Sequence, residues 1–381
     1  MNTITRRRAL IGVVSLALLA SACGSDSSSN STTAPTSGGT DTTVAGGTDT
    51  TAPADTGTVP ADLSATLNAS GATFPKTFYE EAIASFGEKA SGVTINYAGG
   101  GSGKGRQDLA DQIVDFAGTD GVIKPEDLPK FKGGDVLYFP TVVAPITVSY
   151  NLDVDKLQLS PATIAKIFQV EITNWNDPAI ATDNPGVTLP DQAITVVHRS
   201  DSSGTTGNFT KFLEKSVGKD NGGIWKLGTD STVEWSADTQ AGEGNGGVAD
   251  VVSSTKGAIG YVDLSDATDA GLKFASIQNK AGKFVEATLD GASAAAAGAT
   301  IADDLTYSAI WADGDTAYPI TAQTWIIAYK NQTDAAKAAA LKAFLNYVLT
   351  DGQTLASTVN FAPLPADLAT KAIAQLDSFV V

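Results

Sequence analysis

Ile194-Thr195-Val196-Val197-His198-Arg199-Ser200-Asp201-Ser202-Ser203-Gly204-Thr205-Thr206 is the segment on which the reading of this chain turns. Its first half is rich in β-branched residues and alternates, as a short strand does. Its second half is small and hydroxyl-bearing. Phe209, Phe212, Leu213 and Val217 then fall on one helical face. The order is therefore strand, hydroxyl-rich turn, helix. The first amides of a helix have no partner within it, and the helix dipole is positive there. Such a turn offers N–H groups and hydroxyls to a small oxyanion, with Arg199 beside them.

The same order occurs earlier. Val93 to Tyr97 reads as a strand, Gly99-Gly100-Gly101-Ser102-Gly103-Lys104-Gly105 as the turn, and Leu109 and Ile113 mark the helix. A third run, Ser70-Gly71-Ala72-Thr73-Phe74-Pro75, opens a helix over Pro75 to Glu88, with Phe78, Ala82, Ile83 and Phe86 near one face. Pro75 suits a first turn, and Thr73 can supply a cap oxygen. Val114 to Gly118 reads as a strand ending beside Asp120. The pattern predicts an α/β protein whose ligand sits where strands end and helices begin.

Between these landmarks, Phe139 to Tyr150 is apolar, but Pro140 and Pro145 argue against one uninterrupted central strand. Ala162 to Phe168, Ala335 to Leu349 and Leu364 to Phe379 are predicted helices, and residues 290–302 are an Ala-rich fourth. Gly242 to Gly247 reads as a flexible turn, Ile259 to Val262 as a strand, and Tyr318 to Lys330 as a strand pair or turn around Thr321. There is no regular long-period repeat.

The chain starts like an exported protein. Arg6, Arg7 and Arg8 precede an apolar stretch from Ala9 to Ala20, then Ser21-Ala22 and Cys23, the only cysteine. This is the outline of a lipoprotein signal over residues 1–22, with lipid expected on Cys23. The apolar stretch is short for a membrane span. Residues 24–60 are nearly all Ser, Thr, Gly, Ala, Pro and Asp, and cannot bury enough apolar surface to fold. We read residues 23–62 as a tether, whose flexible part has an end-to-end distance of roughly 35 Å.

The formal net charge is −17, and removing residues 1–22 takes away three arginines and no acid, giving −20. That balance argues against binding nucleic acid or anionic membranes through surface charge. It also means that an anion must be held by a local, preorganised site, because surface charge is screened over roughly 8 Å. One cysteine excludes an internal disulfide and any multi-cysteine metal site. No metal motif is present, and the glycine run lacks the Gly-Lys-Ser/Thr ending of a nucleotide loop. Glu80-Glu81 read as a solvated face. Trp225, Trp235 and Trp311 are scattered, and His198, the only histidine, reads as structural.

Taken in order, Ser70–Pro75, Val114-Asp115-Phe116-Ala117-Gly118-Thr119-Asp120, Arg199–Thr205, Gly257-Ala258-Ile259-Gly260-Tyr261-Val262 and Tyr318-Pro319-Ile320-Thr321 resemble the phosphate-binding proteins of high-affinity bacterial ABC phosphate importers. The likeness spans nearly the whole body after the tether. It implies a two-lobed α/β periplasmic-binding-protein fold, type II-like, with phosphate in a cleft between lobes. The implied lobes are 63–144 plus 318–381 and 145–317, with crossovers near Pro140–Pro145 and Asp315–Pro319. It implies phosphate contacts from Thr73, Phe74, Ser102, Asp120, Arg199, Ser203, Gly204 and Thr205, with Asp201 positioning the arginine. The implied partners are permease subunits and the membrane, through the lipid. No catalytic residue, metal or cofactor is expected. The first run begins with Ser70 where relatives often have Gly.

The chemistry agrees with that likeness. Arg199 can give paired, charge-assisted hydrogen bonds to two oxygens of one anion. Asp120 can accept the proton of hydrogen phosphate, whereas fully ionised sulfate would meet an unpaired carboxylate. A secreted phosphate-ester hydrolase is the competing reading, but no histidine base lies near a marked nucleophile. A tethered adhesion protein is a third.

Overall fold

The computed structural model describes Pro60 and residues 62–381. The expected signal segment and Cys23 lie outside the described residues, as does the tether apart from Pro60 and Asp62. The strands are β1 (Ala65–Gly71), β2 (Val93–Gly100), β3 (Phe116–Thr119), β4 (Val136–Tyr150), β5 (Gln158–Leu159), β6 (Thr195–Arg199), β7 (Gln240–Gly242), β8 (Ala258–Asp263), β9 (Lys273–Phe274), β10 (Ser276–Gln278), β11 (Phe284–Val285) and β12 (Thr321–Tyr329). The α-helices are α1 (Lys76–Lys89), α2 (Ser102–Ala110), α3 (Pro161–Phe168), α4 (Pro178–Asp183), α5 (Gly204–Val217), α6 (Gly244–Ser254), α7 (Leu264–Asp269), α8 (Leu289–Ala297), α9 (Ala335–Leu349), α10 (Gln353–Ala356) and α11 (Ala366–Gln375).

The main sheet runs β2-β1-β3-β12-β4-β8-β6-β7, with β9 added along β4, and β11-β10-β5 form a small second sheet. At one end β1, β2 and β3 are parallel, and at the other β6, β7 and β8 are parallel. Parallel strands need helical crossovers, so each end carries strand–turn–helix units. The antiparallel pair β4 and β12 joins the two ends. Residues Val136–Pro145 of β4 pair with β12, and Ile146–Tyr150 pair with β8. Every residue of β12 is buried, as are Tyr138 to Tyr150 of β4. Strands covered on both faces read as continuous apolar runs, which is why no alternation marks them in the sequence.

Two expectations are corrected here. Phe139 to Tyr150 belongs to one uninterrupted strand despite its prolines. Pro140 pairs with Trp325 where the β12 register shifts, and Pro145 pairs with Thr321 where β4 changes partner. The missing N–H groups thus fall at irregular points of the ladder. Nor is there a strand pair around Thr321: the turn falls at Pro319–Ile320, Thr321 begins the single strand β12, and its hydroxyl donates to the Tyr318 carbonyl at 2.8 Å.

The helices pack as their apolar faces predict. Phe86 of α1 meets Phe344 of α9 edge-on, at 5.4 Å between ring centroids. Phe209 of α5 stacks on Tyr261 of β8 at 4.4 Å, and its other neighbour is Phe168 of α3 at 4.7 Å. Gly242 to Gly247 is not a turn throughout, because α6 starts inside the glycine run at Gly244.

Gly71 ends β1 at φ +137°, and a Cβ there would lie 2.1 Å from the Gly118 carbonyl oxygen. Both the backbone conformation and the close approach require glycine. Gly71→Ala should cost about 1–3 kcal/mol or more, read as a lower urea midpoint. An unchanged midpoint would contradict this account of how the β1–α1 turn is held.

Candidate functional site

The β1–α1 turn carries Thr73 and Phe74. Phe74 is buried, with its ring edge-on to Phe361 at 5.8 Å. Thr73 is not the cap of α1. Pro75 holds the N-cap position with no side-chain cap bond, and the Thr73 hydroxyl oxygen instead accepts the Asn245 amide at 3.2 Å. The turn therefore bonds to the start of α6, at the opposite end of the sheet.

Gly100 and Gly101 follow with φ of +119° and +90°, which swings the chain so that Ser102 starts α2 with its side chain buried. A Cβ on Gly101 would lie 2.2 Å from Asp201 Oδ2, so glycine is needed for that approach. The Ser102 hydroxyl donates to Asp120 Oδ2 at 3.2 Å and accepts the Asp120 amide at 3.1 Å. The other oxygen of Asp120 accepts from the Thr324 hydroxyl at 2.7 Å.

Arg199 ends β6 and is buried. Its Nε donates to Asp201 Oδ1 at 2.7 Å and one Nη to Asp201 Oδ2 at 2.5 Å, a two-point pair. The other Nη donates to Asn245 Oδ1 at 2.7 Å and lies 3.3 Å from the Thr205 hydroxyl. A guanidinium has five N–H groups. Asp201 takes two and Asn245 one, which leaves two for Thr205 and a ligand. The Arg199 side chain is 1% exposed and that of Asp201 12%, so this is no surface ion pair.

Ser203 caps α5, its hydroxyl accepting the Thr206 amide at 3.1 Å. The amides of Gly204 and Thr205 lie in the first turn, before the helix's own hydrogen bonds begin. A Cβ on Gly204 would fall 2.4 Å from Ser102 Oγ and 2.6 Å from Asp120 Oδ2. Only glycine lets the start of α5 touch Ser102 and Asp120. The structure thus draws Thr73, Ser102, Asp120, Arg199, Ser203, Gly204, Thr205 and Asp201 into one hydrogen-bonded or contacting set, with Phe74 next to Thr73.

Burial pushes the Asp120 carboxyl up to about 6, against the hydroxyls of Thr324 and Ser102 and the charges of Arg199 and Arg106. Burial also works on Asp201, but its hydrogen bonds and charge pairing with Arg199 hold it below the usual carboxylate range. The site therefore joins a charged guanidinium, hydroxyl donors and free helix amides to one carboxylate that takes a proton readily.

Four contributors were not singled out from the sequence. Asn245 is fully buried and links Arg199 to Asp263, donating to Asp263 Oδ2 at 2.7 Å. Asp263 is buried, and burial raises its carboxyl well above the usual range. The Tyr261 hydroxyl accepts the Arg199 amide at 3.2 Å, and Thr324 holds Asp120. Asn245 had a signal: β7, the glycine run and α6 repeat the strand–turn–helix order. Tyr261, Asp263 and Thr324 had none, because their roles depend on strands paired far apart in sequence. His198 stacks on Trp235 at 5.0 Å between ring centroids, and its Nδ1 is 2.9 Å from the Arg199 carbonyl oxygen, a structural placement.

An α/β sheet with parallel strands at both ends, joined by a central antiparallel pair, is the architecture of a binding protein of the periplasmic type. A family model described as a PBP superfamily domain matches residues 30–352. The phosphate-binding protein PstS of Pasteurella multocida is 37% identical over 317 residues, covering 81% of this chain and 89% of that one. PstS 3 of Mycobacterium leprae is 32% identical over 371 residues, covering 94% of each. Among solved structures, a phosphate-binding protein from Stenotrophomonas maltophilia aligns with a TM-score of 0.64 at 21% identity, over 81% of this chain and 93% of that one. A high-affinity periplasmic phosphate-binding protein with bound phosphate aligns at 0.68 and 20%, over 82% and 94%. The chain belongs to the PstS family of phosphate-binding proteins.

The raised pKa of Asp120 sets a pH dependence. Its ordinary value is near 3.9, so the folded protein holds this proton more tightly than the unfolded chain. The contribution to stability is complete below pH 4 and is lost as pH rises through about 6, by roughly 3 kcal/mol. Asp120→Asn has no such loss. With no anion bound, the stability gained by this variant over the parent should be larger at pH 8 than at pH 4.5. Equal differences in urea titrations at the two pH values would show that Asp120 is not held this way.

Proposed function

We propose that this protein captures inorganic phosphate outside the cytoplasm and delivers it to a membrane ABC importer. The observation that carries the reading is Arg199: a buried guanidinium, fixed by Asp201, Asn245 and Thr205, with one N–H to spare. A ligand that fills this site must be a compact anion. Thr73, Ser102, Ser203 and Thr205 supply hydroxyls, and the amides of Phe74, Gly204 and Thr205 complete the donor set. Asp120 accepts the proton of hydrogen phosphate and turns sulfate away. The relatives from Pasteurella multocida and Mycobacterium leprae are phosphate-binding proteins.

In this reading the lobes are 63–144 plus 318–381 and 145–317, joined through β4 and β12. The bonds from Asn245 to Thr73, from the Gly103 amide to the Ser202 carbonyl at 2.9 Å, and between Lys124 and Asp230 at 2.6 Å support a closed arrangement. Phosphate favours closure because both lobes contribute partners. Lipid on Cys23 anchors the protein at the outer face of the cell membrane, and the tether lets the body reach its permease. A hydrolase is not favoured, because the ring of His198 is stacked and its Nδ1 engaged, away from any site hydroxyl.

Titration of phosphate into stripped protein should give about one tight site per chain, and a stoichiometry near zero in folded protein would reject the function. Arg199→Lys should weaken binding roughly 10- to 100-fold, because an ammonium lacks the planar fork, and Arg199→Ala more. Full affinity in both variants would remove Arg199 from the contact set. Asp120→Asn should lower the preference for phosphate over sulfate in competition titrations, and a constant ratio would refute its role as proton acceptor. Distance labels across the proposed lobes should report closing on saturation with phosphate, while an unchanged distribution would sink the mechanical part.

A further inference from the structure

Asn208 lies on α5, one turn after Gly204, and is buried. It adds nothing to the donors offered to the anion, yet both polar atoms of its side chain are engaged. Its Nδ2 donates to the Asp120 carbonyl at 2.8 Å and to the Gly204 carbonyl at 3.1 Å. Its Oδ1 accepts from Gln323 Nε2 at 3.1 Å. Gln323 is buried on β12, and its own Oε1 accepts the Ala309 amide at 3.1 Å.

The needs of the helix do not account for this residue. Asn is a poor helix former, and its bond to Gly204 only joins α5 to itself. The other two bonds span 88 and 115 residues of sequence. Gln323 is equally particular. Neighbours along a regular strand point to opposite faces. Gln323 nevertheless reaches Asn208 while Thr324, next to it, reaches Asp120. The β4–β12 ladder shifts register here, and such irregularities re-aim side chains.

With the lobes divided as above, the path from Asp120 through Asn208 and Gln323 to Ala309 changes lobe at every link. We propose that Asn208 is a positioning residue that locks the closed state and so sets how slowly bound phosphate leaves. This rests on the phosphate-binding reading and on that division into lobes. Parting the lobes takes Asn208 Oδ1 and both polar atoms of Gln323 from their partners, which is costly until water reaches them. The Asp120 carboxyl keeps Ser102 and Thr324, both in its own lobe, whatever Asn208 does. The lock therefore acts on the lifetime of the complex and leaves the choice between phosphate and sulfate alone.

That separation makes the test. The full chain is loaded with radiolabelled phosphate, mixed with excess unlabelled phosphate, and its release timed. Asn208→Val should speed release roughly tenfold, with the association rate and the phosphate-to-sulfate ratio each within about twofold of the parent. Gln323→Leu breaks the same path from the other side. It should speed release by a similar factor, and the double variant by little more than either alone. Unchanged release in both single variants would overturn the proposal. So would fully multiplicative effects in the double variant, or a collapse of the phosphate-to-sulfate ratio in Asn208→Val. If the parent held no phosphate, the function proposed above would fail on its own. The lock would then be read from hydrogen exchange over the peptide carrying Ala309, which Asn208→Val should accelerate. Equal exchange in parent and variant would overturn it.

Discussion

A buried positive charge that must stay charged organises this molecule. Arg199 cannot release its proton to escape the low-dielectric interior, so its surroundings have to answer it. Asp201 does so with two hydrogen bonds and Asn245 with one. Each partner has its own anchor. The Gly244 amide donates to Asp201 at 3.1 Å, and Asp263 accepts from Asn245. This network fastens β6, α6 and the end of β8 to one another before any ligand arrives. A site built this way meets its anion with little reorganisation, which is how an acidic protein can hold a negative ligand at all.

Glycine does the complementary work. At Gly71, Gly101 and Gly204 the space for a Cβ is already taken by backbone or by a functional oxygen. Two of these positions also need a positive φ. The consequence is that three separate turns converge to distances that no larger residue allows. The hydroxyls are thereby brought together from several directions, and the carboxylate of Asp120 is forced into contact with those of Ser102 and Thr324.

Much of this was legible in the chain. The turns at Ser102 and Arg199 each show a change of period, from strand to helix, with hydroxyl residues at the change, and the run at Thr73 opens a helix. Helix α9 was readable over its whole length because one of its faces is steadily apolar. The central strands were not readable in the same way. In β4 and β12 both faces are buried, so alternation vanishes, and prolines suggested breaks where the ladder only shifts register. Thr324 and Tyr261 were invisible for a related reason. They act through pairings between residues more than fifty positions apart, and no local pattern encodes such a pairing. The turn at Gly242–Gly247 was the one avoidable omission, since Asn245 sits where the strand–turn–helix rule places a ligand-facing residue.

The β4–β12 ribbon has a mechanical meaning beyond joining the two ends. Its strands are bonded to each other along Val136–Pro145, so neither can extend or slide independently. Motion between the ends is thereby confined to bending and twisting of a paired ribbon, as in a leaf spring, and not to the slack of two loose cords. The stiffness of such a spring depends on the strand register and on residues at the change of partner, Pro145 and Ile146, which touch none of the site residues in sequence. The tempo of opening and the strength of grip are therefore written in different parts of the chain, and selection can adjust one while leaving the other as it is.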